Sequence, residues 1–76
     1  MKIRTLKDKY NLSVSEWEHL IDERILSERD RYIMKRRLLD NASYDTISEE
    51  VGLSIRYTKS ITSRCMTILK SYIEKH

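Results

Sequence analysis

The 76-residue chain has no proline and no phenylalanine, and it uses glycine, cysteine and tryptophan once each. These scarcities remove whole classes of structure. A lone Cys65 cannot close an internal disulfide, and no Cys/His cluster has the spacing of a structural zinc site, so a reducing, intracellular setting is expected. His19 is far in sequence from His76, the last residue, and suggests neither a metal pair nor a catalytic dyad. No enzyme, cofactor or metal is therefore expected. No stretch approaches 18 apolar residues, and the opening "MKIRTLKDKY" is charged throughout with no cleavable signal pattern, which predicts a soluble cytoplasmic chain.

With 36% charged residues and neither proline nor phenylalanine, the composition leans to helix, and no strand is expected. The length predicts a single domain, 1–76, burying about 60 to 65% of the surface its unfolded form exposes. The formal charge is only +3, unevenly placed: residues 1–12 carry +3, 13–26 carry −3, 27–41 carry +2, 43–53 carry −3 and 54–76 carry +4.

Serines at 13, 27, 43 and 54 each precede a run with apolar residues three and four apart, as helix N-caps do. Ser13 is the strongest, with Glu16 completing a capping box and Leu12 and Trp17 placed as a hydrophobic staple. The first main helix, within 13–26, is expected from Val14 to about Ile25, burying Trp17, Leu20, Ile21 and Ile25. Ahead of it, Ile3, Leu6 and Tyr10 suggest a short helix or arm over 1–12, ended by Asn11. A second helix, 27–41, opens at Leu26 and Ser27 with Glu28 and Asp30 in its first turn and Lys35, Arg36 and Arg37 later, matching the helix dipole. Its inward residues are expected to be Tyr32, Ile33, Met34, Leu38 and Leu39.

The third helix, 43–51, keeps Ile47 and Val51 on one side and stops at Gly52, the residue type that tolerates the positive φ found just past a helix C-terminus. Ser54 caps the next helix at once. A three-residue turn, 52–54, between a two-turn helix and a long one over 55–75 is the helix-turn-helix unit. The expected fold is thus all-α, a small helical bundle with a helix-turn-helix and a long C-terminal recognition helix.

Spacing the last helix at 100° per residue around Thr58 puts Ile55, Ile61, Thr62, Cys65, Met66, Ile68, Leu69, Tyr72 and Ile73 within about 80° of the buried centre. Opposite lie Arg56, Ser60, Ser63 and Thr67, with Lys59 and Lys70 on one shoulder and Tyr57 and Arg64 on the other. Ser and Thr cost about half a kcal/mol each inside a helix, so three on one outer ridge imply a sacrifice of roughly 1 to 2 kcal/mol. Short polar side chains let a helix sit deep in a DNA major groove, and flanking cations meet the phosphates.

Residues 26–70, "LSERDRYIMKRRLLDNASYDTISEEVGLSIRYTKSITSRCMTILK", also resemble the region-four DNA-binding domain of bacterial sigma factors and related small helix-turn-helix regulators. The shared features are the "L-S-E-R-D-R" opening, the "S-Y-D-T-I" start, the turn "V-G-L-S" and the basic "I-R-Y-T-K-S-I". Thr58 stands where that family usually buries valine or isoleucine, and Ser48 where it usually has alanine. By resemblance, the helix after the turn enters the major groove with Ser54, Arg56, Tyr57, Lys59, Ser60 and Ser63 facing DNA. Arg64 joins them as the end of the contacting segment.

A working sigma factor also needs a domain that grips the polymerase and melts the promoter, so the chain reads as a stand-alone regulator of phage or mobile-element type. It is expected to bind double-stranded DNA, as a homodimer if Met66, Leu69 and Ile73 supply a contact; they can equally pack on Trp17 and Leu20. The acidic residues of the first and third main helices can be solvated faces, a phosphate-repelling guide, or a docking patch. The competing reading is a small phage-type inhibitor or adaptor that uses this scaffold to hold a host protein such as RNA polymerase or a nuclease.

Overall fold

A computed structural model of the chain describes residues 10–75. Among them are four helices and no strand: α1 (Val14–Arg24), α2 (Glu28–Leu38), α3 (Tyr44–Val51) and α4 (Ile55–Lys75). The helix expected over 1–12 lies, up to residue 9, outside the described residues. At its expected end Asn11 has a φ of 48°, and Tyr10 donates from its hydroxyl to Glu74 at 2.9 Å, beside the far end of α4.

Each helix begins on the serine that the cap chemistry requires. Ser13 Oγ accepts from the Glu16 N–H at 3.1 Å while the Glu16 carboxylate accepts from the Ser13 N–H at 3.0 Å, the reciprocal capping box. Ser27, Ser43 and Ser54 accept in the same way from Asp30, Thr46 and Tyr57.

The ends are shorter than the apolar periodicity suggests. Ile25 is already extended (φ −102°, ψ 112°), so α1 stops at Arg24 and not within 25–26. The Arg31 guanidinium holds the carbonyls of Ile25 and Leu26 at 2.8 and 2.9 Å, which satisfies acceptors that a continuing helix would have used. Leu26 lies outside both helices and is 89% exposed. α2 ends at Leu38 and not 41, because Asn41 turns left-handed at φ 56° and the Ala42 N–H folds back on the Arg36 carbonyl. Gly52 is left-handed at φ 71°, and the Leu53 N–H closes the turn on the Ser48 carbonyl at 3.1 Å.

The core gathers Trp17, Leu20, Ile21 and Ile25 of α1 and its end, Ile33, Met34 and Leu38 of α2, Ile47 of α3, and Ile61, Cys65, Met66 and Leu69 of α4. Met66 and Leu69 are fully enclosed by their own chain, so they pack inward and offer no surface to a second copy. The Trp17 indole is buried with no hydrogen-bond partner for its N–H among the described residues. Burial pushes the Cys65 thiol up to about 11, with the nearby Asp30 carboxylate adding to it, so it stays protonated and inert at neutral pH.

Three expected inward residues turn out otherwise. Tyr32 is 38% exposed because its hydroxyl reaches out to Glu50 on α3. Ile68 is 43% exposed, since it sits at the very edge of the apolar stripe, where the helix surface has already turned from its neighbours. Ile55 is 41% exposed. Helical side chains lean toward the N-terminus, so the first residue of α4 leans past the end of its own helix.

Candidate nucleic-acid interface

α4 packs against α1, α2 and α3 through Thr58, Ile61, Thr62, Cys65, Met66 and Leu69, and this burial decides which side chains face outward. Arg56, Ser60, Ser63 and Thr67 are all exposed and follow one another along a single line of the helix. The Ser54 hydroxyl oxygen caps the helix through the Tyr57 N–H, so Ser54 is at the edge of this ridge as a structural cap first. The Thr67 hydroxyl donates back to the Ser63 carbonyl at 3.0 Å, whereas no bond is formed by the Ser60 and Ser63 hydroxyls among the described residues. Arg56 likewise has no carboxylate partner among the described residues.

The two shoulders of the ridge are built differently. On one, the Lys59 ammonium lies 5.5 Å from the centre of the Tyr44 ring, and the Arg37 guanidinium lies over the same ring at 4.4 Å. Two cations from α4 and α2 thus share one aromatic side chain at the start of α3, each drawn by the negative face of the ring. Arg37 is further fixed by donating to the Ala42 carbonyl at 2.9 Å. A tyrosine ring offers no counter-charge, and neither cation has a carboxylate partner among the described residues, so the positive charge of this corner is open to an anion.

On the other shoulder the charges are partly answered. Tyr57 sits 5.7 Å from the Arg29 guanidinium, and Asp30, buried at the start of α2, accepts from Arg29 at 3.2 Å and faces Arg64 at 3.5 Å. Arg64 is therefore tied to α2, unlike Arg56. The bond that Arg29 donates to Asp30 is the largest cause holding the Arg29 guanidinium more firmly protonated than usual. Of the sequence-predicted site residues, Arg56, Lys59, Ser60 and Ser63 are brought onto one open surface, with Tyr57 and Arg64 along its second edge.

Arg29, Arg37 and Tyr44 are additions that the sequence reading missed. Arg37 had a signal: it stands four residues after Ile33 and three after Met34, on the inward side of α2, where an unmatched cation is out of place. Asp30 shares that side and had the same signal. The pairing of Tyr44 with Lys59 had none, because it exists only once α3 and α4 are packed.

Most of the acid is used internally and away from the ridge. Glu50 is held by Arg36 and Tyr32, Asp22 pairs with Lys35 at 2.7 Å between α1 and α2, and Glu16 completes its cap. These bonds hold all three carboxyls below the usual carboxylate range, the leading cause being Arg36 for Glu50, Lys35 for Asp22 and the Ser13 N–H for Glu16. No metal-binding group of His, Cys, Asp and Glu is found among the described residues, and no helix of them is long and apolar enough to cross a membrane.

Comparison with known proteins gives one family. The model of Sigma-70, region 4, matches residues 24–71, which contain α2, α3 and most of α4. No curated protein and no solved structure matches the chain.

Proposed function

The chain belongs to the sigma-70 region 4 family of DNA-binding helix-turn-helix domains, and on that premise we propose that it regulates transcription by placing the exposed ridge of α4 in the major groove of a specific duplex site. The observation that carries this reading is the arrangement around that ridge. Arg56 and the hydroxyls of Ser60 and Ser63, without side-chain partners among the described residues, lie between two cation–tyrosine shoulders built with α2 and α3. Arg56 and the serines are suited to base edges, and Lys59, Arg37 and Arg29 to the phosphates on either side. Arg64, tied to Asp30, stands at the far edge.

The proposal is of a small binding protein of phage or mobile-element type, and not of an enzyme. Two copies would occupy paired half-sites, meeting on DNA rather than in free solution, since Met66 and Leu69 are taken by the core of each copy. The test is fluorescence anisotropy of the full chain with labelled random-sequence duplex at about 50 and 200 mM salt. Binding that weakens steeply with salt supports the reading. Failure to bind duplex at the lower salt, together with capture of RNA polymerase or a nuclease by the same protein, would hand the ridge to a protein partner.

A further inference from the structure

Ile55 is an apolar side chain in the first turn of α4 that stands outside the core, at the overhanging end of the helix. It is 41% exposed, β-branched at a helical position, and directly before Arg56. By the helical spacing it lies on the same shoulder as Lys59, about 40° from it and one turn nearer the helix start. That shoulder is the one where Lys59 and Arg37 gather positive charge around Tyr44 with no carboxylate partner among the described residues. A duplex docked with a phosphate at that corner would bring its base edges toward Ile55 and Arg56.

We propose that Ile55 is a specificity-determining residue that seats the 5-methyl group of a thymine, beside a guanine taken by Arg56. This rests on the DNA-binding reading above and names the kind of site it recognises. In the major groove thymine presents an O4 acceptor and a methyl group, and the methyl is the one apolar feature that a base offers there. Isoleucine can neither donate nor accept. Against adenine or cytosine it would cover an amino group without bonding it, an unfavourable arrangement. Arg56, with no ion pair among the described residues, can give two parallel N–H donors to O6 and N7 of guanine. The first turn therefore selects a thymine–guanine neighbourhood, by methyl contact on one side and bidentate donation on the other.

The experiment uses the full chain and a pool of random duplexes, from which bound sequences are enriched and read. In an enriched duplex each thymine is replaced singly by deoxyuridine, which removes the methyl alone, and each guanine by 7-deazaguanine, which removes N7. One deoxyuridine position should weaken binding about fourfold, the worth of one buried methyl-sized group. Ile55→Ala should bind the parent and that deoxyuridine duplex equally, with a melting temperature like that of the natural chain because Ile55 is outside the core. Ile55→Gln should shift the enriched base at that position from thymine to adenine. If every deoxyuridine duplex binds like the parent, or if Ile55→Ala keeps the full methyl sensitivity, the inference is overturned while DNA binding stands. A pool from which no duplex is enriched would instead remove the DNA-binding reading itself.

Discussion

Arg36 lays its guanidinium along both oxygens of Glu50, Nε to Oε1 and Nη2 to Oε2 at 3.0 Å each, while the Tyr32 hydroxyl donates to the same Oε1 at 2.8 Å. This pair joins α2 to α3 on the outside of the bundle. It makes one link between the two helices, beside their shared apolar core, depend on the charge of one carboxylate.

Stability should therefore fall in acid. Glu50, Asp22 and Glu16 all have folded pKa values below their unfolded ones, so their contribution is complete above the unfolded values of about 4 and is lost as pH drops through the folded ones. Urea denaturation followed from pH 7 to pH 2 should show a plateau to about pH 5 and then a decline. Glu50→Gln should be less stable than the natural chain at pH 7 and should lose that disadvantage toward pH 3. A Glu50→Gln deficit of equal size at both ends would show that the ion pair is not what links the two helices.

Gly52 gives a test of backbone strain free of steric clash, because a Cβ built there meets nothing within 4 Å. Its φ of 71° remains unfavourable for a side chain. Gly52→Ala should cost about 1 to 2 kcal/mol in chemical denaturation. Gly52→Asn should cost less, since asparagine already holds the left-handed position at 11 and 41 in this chain. Equal losses for the two would point to a role other than conformation.

Thr58 is fully buried, and its hydroxyl donates to the Ser54 carbonyl at 2.9 Å, an oxygen that also accepts the Thr58 N–H. Removing the hydroxyl therefore strands no acceptor. Thr58→Val should leave stability unchanged or raise it by up to about 1 kcal/mol, through one more buried methyl group. A loss above that size would mean that the back-bond is needed to shape the first turn of α4.

Arg56 and Lys59 should fail in different ways. Lys59→Ala should weaken specific and random duplex alike and make the slope of log K against log salt shallower by about 0.9. Arg56→Ala should cost about 1 to 3 kcal/mol on an enriched site and much less on random DNA, compressing the ratio between them. Asp30→Asn, which releases Arg29 and Arg64 from their shared carboxylate, should tighten binding to random duplex and steepen its salt dependence. Anisotropy titrations of the three variants across salt separate these outcomes.

Free copies should sediment as a 9.2 kDa species at high micromolar concentration, with a larger complex forming only when a duplex with two half-sites is added. Of the expected contact residues Met66, Leu69 and Ile73, the first two are closed inside each copy and only the partly buried Ile73 is left, so a stable dimer without DNA would require a further contact surface.

What could be read from the sequence was local chemistry. The caps at Ser13, Ser27, Ser43 and Ser54 and the left-handed Gly52 depend on a few neighbouring residues, and those residues are visible in any order of folding. The apolar wheel of the last helix also located Thr58, Ile61, Thr62, Cys65, Met66 and Leu69 correctly. It failed at Ile55 and Ile68, because a wheel assumes equal cover along the whole length of a helix, whereas the first turn overhangs and the stripe edge is bare. The ridge of Arg56, Ser60 and Ser63 was legible for the same reason as the stripe opposite it. Its shoulders were not: Tyr44 meets Lys59 and Asp30 meets Arg64 across gaps in sequence that only packing closes.

The lone Trp17, sealed in the core with its indole N–H unbonded among the described residues, has a practical consequence. Shielded from water and from polar partners, its fluorescence should peak at short wavelength in the native chain and move to the red when the helices come apart. It is on α1, away from the α4 ridge, so DNA added to the folded protein should leave that colour unchanged. The chain thus carries an internal lamp that reports whether it is folded while staying blind to what it holds, and one cuvette can tell a variant that has lost its grip from a variant that has lost its shape.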